Sequence, residues 1–268
     1  MSERPLAVIT GASAGIGAAF ARKLAQRGYD LLLIARRQDR LRALAAELAE
    51  SYHIGASAMP ADLSTDDDLE RIAGCVQNAP RLRLLVNNAG FGTMGFFHEA
   101  SVQSQMQMHR LHVLAIARLT HAALANMTER RAGAVINVSS VAAFMIGAGN
   151  VSYCATKAWI NAFTQGLALE LRARKSPVKV QALCPGFTLS EFHDVLGMDR
   201  AGVPESFWLT ADFVAEQSLL GLEAGRLFVI PGLRYKITVL ALRWLPDPAL
   251  RRLALLLSRR RRPRTPAP

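Results

Sequence analysis

The sequence predicts an α/β protein built on one doubly wound parallel sheet of about seven strands, with helices on both faces. Two patterns carry that expectation. Short apolar runs alternate with helical stretches from residue 5 to about residue 232, the rhythm of parallel strands joined by crossover helices. The apolar runs are also continuous, as in Leu31-Leu32-Leu33-Ile34, so their strands are buried on both sides.

Leu6–Thr10 reads as the first strand, bounded by Gly11. Ile16–Gln26 has helical spacing and stops before Gly28, a residue suited to a left-handed helix end. Asp30–Ala35 is the second strand, and the Leu/Ala/Glu-rich stretch Arg40–Glu50 the second helix. Ala56–Pro60 is a third strand. Ser64 then suits a helix cap, with the helix running to about Asn78 and Asp66, Asp67 and Asp68 in its first turn, where the dipole favours acids. Leu82–Val86, Ala134–Val138, Val178–Leu183 and Leu227–Ile230 read as the remaining strands. Ser101–Asn126, Ser152–Ala173 and Asp212–Glu223 read as the remaining helices.

With 268 residues, 51% of them hydrophobic, the chain can bury one large core, and no repeat or internal boundary divides it. Residues 1–232 are expected to form the α/β domain, 233–258 a helical extension, and 259–268 a basic, disordered tail. Cys75, Cys154 and Cys184 are too few and scattered for a disulfide framework or a metal site, and point to a reducing, cytoplasmic setting. No apolar run is long enough for a membrane span, and no secretory segment precedes Leu6. The net charge of +11 raises the question of nucleic acid, but seven of those charges are arginines after residue 250, where no acid occurs. The basic character thus belongs to a tail without interleaved aromatics, and no nucleic-acid partner is expected.

Thr10-Gly11-Ala12-Ser13-Ala14-Gly15-Ile16-Gly17 leaves a strand and opens a helix. Its glycines allow a tight turn and close approach of a pyrophosphate, which the helix N-terminus attracts. In this context the turn predicts dinucleotide binding. An acid at the end of the second strand would hold a ribose 2′-hydroxyl, and a count of about 20 residues from the turn reaches Asp30. Asp30, however, begins that strand and lies at the wrong edge. The strand instead ends at Ala35 and is followed by Arg36 and Arg37, whose guanidiniums suit a 2′-phosphate, so NADP(H) is the expected cofactor.

Further motifs follow in order: Asn87-Asn88-Ala89-Gly90, Ser140, Tyr153-x-x-x-Lys157 and Pro185-Gly186. With the glycine turn they make residues 5–232 resemble the short-chain dehydrogenase/reductase family, in its NADP(H)-preferring form, which implies a Rossmann fold. The resemblance also implies roles. Gly11, Ser13, Gly15, Ile16 and Gly17 would hold the cofactor's phosphates, Asp62 and Leu63 its adenine, and Asn88, Ala89 and Gly90 its adenosine side. Lys157 would hold the nicotinamide ribose, and Pro185, Gly186 and Thr188 would pass beside the carboxamide. Ser190 stands where the family usually has Thr and keeps the hydroxyl. Subunits of the family usually associate through two long helices, so a homodimer or homotetramer is expected.

The residues themselves suggest the chemistry. A hydride reaching a carbonyl carbon leaves negative charge on oxygen, which Ser140 can bind and Tyr153 can protonate. Lys157, one turn along the same helix face, is expected to lower the Tyr153 pKa from its usual value of about 10. His112 falls where many family members have an Asn that holds a relay water. It either substitutes for that Asn or is a packed histidine in a slower enzyme. Glu191–Leu209 is either a substrate lid or a surface connection. As a lid, its Phe192, Val195, Leu196, Met198, Phe207 and Trp208 favour an apolar ketone or 3-oxoacyl-type substrate.

Past residue 232, Ile237, Leu240, Ala241, Trp244 and Leu245, and then Leu250, Leu253, Ala254 and Leu257, recur at helical spacing around Pro246-Asp247-Pro248. Two amphipathic helices flanked by arginines either pack on the protein or rest on an anionic membrane surface. The alternative to an enzyme is a catalytically weak or inactive NADP(H)-responsive binding protein of the same fold.

Overall fold

The computed structural model describes residues 4–145, 147–192 and 203–259. Its strands are Leu6–Thr10 (β1), Asp30–Ala35 (β2), Ala56–Pro60 (β3), Leu82–Asn87 (β4), Ala134–Val138 (β5), Lys179–Leu183 (β6), Thr188–Leu189 (β7), Leu209–Thr210 (β8) and Phe228–Val229 (β9). Its α-helices are Gly15–Gln26 (α1), Gln38–Tyr52 (α2), Asp66–Gln77 (α3), Val102–His109 (α4), Ile116–Glu129 (α5), Val151–Ala173 (α6), Ala211–Glu223 (α7), Leu233–Trp244 (α8) and Asp247–Arg259 (α9).

The main sheet has seven parallel strands in the order β3-β2-β1-β4-β5-β6-β9. Chain order reverses direction on either side of β1, which opens a crevice at the carboxyl ends of β1 and β4. The continuous apolar strands split their side chains between two cores. Ala7, Ile9, Leu31 and Leu33 pack with Phe20 and Leu24 of α1 and Val214 of α7 on one face. Val8, Leu82, Leu85 and Val135 pack with Ile72 of α3 and Leu119 of α5 on the other.

A buried polar network ties the two central strands to the helices behind them. Asn87 Nδ2 donates to Thr120 Oγ1 and Asn137 Oδ1, and Asn137 Nδ2 donates to Thr164 Oγ1. Asn87 and Asn137 are register partners at the ends of β4 and β5, so the network fixes the strand ends from which the site projects.

Several sequence expectations shift. Ser64 does not cap α3: its hydroxyl donates to Asp62 Oδ1, and the flanking residue is Thr65, without a side-chain capping bond. The long helix expected over Ser101–Asn126 is interrupted by a π-helical segment, Arg110–Ala115, between α4 and α5. Leu227–Ile230 shortens to Phe228–Val229, and the β7–β8 pair was not anticipated, because two-residue strands leave no periodic signal. Arg259 ends α9, while 260–268 lie outside the described residues. Gly28 does adopt the left-handed conformation expected of it, with φ +76°.

The C-terminal helices resolve one of the open alternatives on one side only. Tyr235, Val239 and Leu242 of α8 are buried against the domain, whereas Leu233, Ile237, Leu240 and Trp244 form an exposed stripe at helical spacing. Among the described residues, no helix is long and apolar enough to cross a membrane.

Candidate active site

Ser140, Tyr153 and Lys157 meet at the carboxyl end of β5, where the chain turns through a 3-10 segment, Val141–Phe144, into α6. Helical spacing puts Tyr153 and Lys157 on one face, and Lys157 Nζ lies 5.7 Å from the Tyr153 ring centroid. Lys157 is buried and donates from Nζ to Val138 O at 2.8 Å. The two adjacent serines are separated by what they bind. Ser139 is buried and donates to Lys157 O at 3.0 Å, so it anchors α6 to the strand end. Ser140 Oγ accepts from Ala142 N at 3.1 Å and hydrogen-bonds Tyr153.

Electrostatics correct one expectation. Burial pushes the Tyr153 phenol up to about 12, while the Ser140 hydrogen bond pulls in the opposite direction. Burial also brings Lys157 down to about 7, and so weakens the cationic field that was expected to lower the phenol.

His112 is buried within the π-helical segment, a helix form that often marks functional sites. Thr156 Oγ1 donates to Tyr153 O at 3.0 Å, which leaves it to accept from His112 Nδ1, also at 3.0 Å. The imidazole is therefore the Nδ1–H tautomer, and its Nε2 is a buried acceptor without a protein partner among the described residues. Burial, then the nearby Lys157 and His109, hold the ring well below the usual histidine range, so it is neutral near pH 7.

The glycine turn is braced from β4. Thr10 Oγ1 accepts from the backbone N–H groups of Asn88 and Ala89, and Asn88 Nδ2 donates to Thr10 O and Gly11 O. Gly17 must lack a side chain, because a Cβ would come within 2.3 Å of Gly11 O. Ile16 packs partly buried against the core, and no side chain caps the N-terminus of α1. Uncapped N–H groups beside glycines make a cradle that fits a pyrophosphate.

Of the two arginines expected at a 2′-phosphate, only Arg37 joins this cradle. Its Nε and Nη2 donate to Ser13 Oγ at 3.2 and 3.1 Å, and its Nη1 to Glu191 at 2.5 Å. Arg40 also binds Glu191, whereas Arg36 is exposed and outside the cluster. Arg40 was missed, although its spacing three residues beyond Arg37 was visible.

Asp62 accepts from both the N–H and hydroxyl of Ser64 through Oδ1, and the Leu63 side chain is buried in the core. Gly90 lies against His112, since a Cβ there would come within 2.7 Å of Nε2. Cys184 leads into Pro185-Gly186, where Thr188 Oγ1 donates to Gly186 O and Ser190 packs against Gly15. Phe192 lies 5.9 Å from the Tyr153 ring, and Trp208 5.5 Å from Phe187. Of the lid residues named from sequence, Val195, Leu196 and Met198 lie outside the described residues.

Known proteins resemble this chain over most of its length. The family described as short chain dehydrogenase matches residues 5–200. The chain is 31% identical to the 3-oxoacyl-[acyl-carrier-protein] reductase FabG of Aquifex aeolicus over 192 residues, covering 71% of this chain and 77% of that one. A short-chain dehydrogenase from Sphingobium yanoikuyae, solved in complex with NADPH, superposes with a TM-score of 0.82 at 34% identity, covering 98% of each chain. A bulky-bulky ketone specific alcohol dehydrogenase from Comamonas testosteroni superposes at 0.78 with 31% identity, covering 98% of this chain and 97% of that one.

Proposed function

The chain belongs to the short-chain dehydrogenase/reductase family and is an oxidoreductase, and from that premise we propose that it interconverts a carbonyl and a secondary alcohol with NADP(H). The observation that carries the reading is the convergence of Ser140, Tyr153 and Lys157 beside the glycine cradle. The cofactor supplies or accepts the hydride. Ser140 holds the substrate oxygen, and Tyr153 gives that oxygen a proton in reduction and takes it back in oxidation. Lys157 spends one Nζ proton on Val138 O and has two more for ribose hydroxyls. His112 Nε2, a buried neutral acceptor that would cost stability if left unmet, is suited to accept a hydrogen bond from a relay water behind Lys157.

NADP(H) is supported by Ser13, Arg37 and Arg40 at the adenosine end, and by the NADPH complex of the Sphingobium relative. Phe192 beside Tyr153, and the Phe187–Trp208 ring pair flanking the same stretch of chain, favour an apolar ketone or 3-oxoacyl-type substrate. The test is loss of reduced-nicotinamide absorbance with NADPH across ketones, 3-oxoacyl thioesters and hydroxysteroids. Cofactor binding without turnover on any of them would favour the binding-protein alternative.

Two surfaces suggest partners. Exposed Met106, Leu114 and Leu169 on the long helices suit association of subunits, checked by the mass in solution. The exposed α8 stripe, in a C-terminal segment whose only acid is Asp247, suits peripheral contact with an anionic membrane. Because α8 also packs on the domain, the informative variant is Ile237→Ser/Trp244→Ser rather than a truncation. Unchanged co-sedimentation of that variant with anionic liposomes removes the membrane reading.

A further inference from the structure

Glu191 lies in the chain leaving β7 and turns to the start of α2. Its carboxylate bridges two guanidiniums, those of Arg37 at 2.5 Å and of Arg40. Arg37 is simultaneously held by Ser13 Oγ of the glycine turn. Three elements thus converge on one carboxylate: the turn after β1, the start of α2 after β2, and the chain leaving β7.

The backbone path makes this more than an incidental surface pair. Thr188 and Leu189 are held in register with Leu209 and Thr210. The next residue, Ser190, sits against Gly15 so closely that a Cβ there would come within 2.9 Å of its own. Glu191 therefore emerges from a fixed point beside the pyrophosphate cradle and reaches back to the ribose end.

A carboxylate and a phosphate make the same demand on this cluster: both accept from paired guanidinium N–H groups, and they cannot occupy them together. Resting on the reading that the cofactor is NADP(H), we propose that Glu191 is an internal competitor for the 2′-phosphate. Its carboxylate takes the Arg37–Arg40 pair when no 2′-phosphate does, and must leave for NADP(H) to bind. NAD(H), with a hydroxyl at that position, has no need to displace it. Glu191 is then a specificity-determining residue that reduces the preference for NADP(H).

The pair is partly exposed, with side chains 43–55% accessible, so its strength is that of a surface ion pair. Removing the charge should tighten NADPH about five-fold, the upper range for such pairs, and leave NADH within about two-fold. The experiment titrates NADPH and NADH into full-length wild type, Glu191→Gln and Arg40→Gln at fixed ionic strength, and reads dissociation constants from cofactor fluorescence. Tighter NADPH with unchanged NADH in Glu191→Gln, and weaker NADPH in Arg40→Gln, are expected. If wild type prefers NADPH but Glu191→Gln leaves its affinity unchanged, the competitor role is overturned and the cofactor reading stands. Weaker NADPH in Glu191→Gln also overturns it, since Glu191 would then be ordering Arg37 for the phosphate. Equal affinity of Glu191→Gln for NADPH and NADH overturns the cofactor reading, and the competitor with it.

Discussion

The Tyr235 ring of α8 lies directly over the Cα of Gly186, so closely that a Cβ on Gly186 would fall within 2.0 Å of Tyr235 Cζ. The phenol completes the arrangement: its oxygen accepts from Phe187 N at 2.9 Å and donates to Phe207 O at 2.6 Å. The C-terminal extension is thereby joined to the chain on both sides of the 193–202 segment.

Gly186→Ala should therefore destabilise the protein. The ring must swing away, which breaks both hydrogen bonds, and overpacking of this kind costs about 1–3 kcal/mol. Tyr235→Ala in the same chain removes the obstacle, so the double variant should be more stable than the sum of the single effects. Urea unfolding of the four proteins checks this; strict additivity would show that the contact does not constrain Gly186.

Tyr153→Phe should keep NADPH affinity and lose about 10²–10⁴-fold in turnover, the usual contribution of a positioned acid/base. The phenol oxygen is what is removed, while the ring contacts with Phe192 and His112 remain. Undiminished turnover would refute the assignment.

Lys157 predicts a pH effect on stability. Burial lowers its folded pKa from 10.5 to about 7, so between those values the unfolded chain binds the extra proton. Stability contributed through this group should thus rise with pH from about 7 towards 10. Urea midpoints compared at pH 7 and pH 9 should show that rise in wild type, and Lys157→Met should lose it. A rise of the same size in Lys157→Met would assign it to other groups.

His112→Leu should leave NADPH affinity intact and reduce turnover about 10²-fold, the lower end for a proton-transfer group, while His112→Asn should retain most of it. Because burial keeps the ring neutral, no histidine titration should appear in the wild-type rate profile above pH 6.5. Equal turnover in the Leu variant and wild type would leave His112 as packing.

Parallel pairing of the strands follows from features readable along the chain. Continuous apolar runs such as Leu31–Ile34 demand burial on both faces, and crossover helices between them enforce parallel pairing. Ser140, Tyr153 and Lys157 were legible because helix periodicity and fixed offsets from a strand end survive in one dimension. The π-helical segment was not, since its residues match an α-helical pattern and leave no separate periodic signal.

By itself, the sequence determined the doubly wound fold, the glycine turn and the spacing of Ser140, Tyr153 and Lys157, all set by local periodicity and turn chemistry. Only the tertiary structure decided which charges and rings those groups meet. Burial raised Tyr153 and lowered Lys157, Glu191 crossed from a distant segment to Arg37 and Arg40, and Tyr235 closed over Gly186. Each depends on contacts between residues far apart in the chain, and desolvation and through-space charge are properties of that assembled environment.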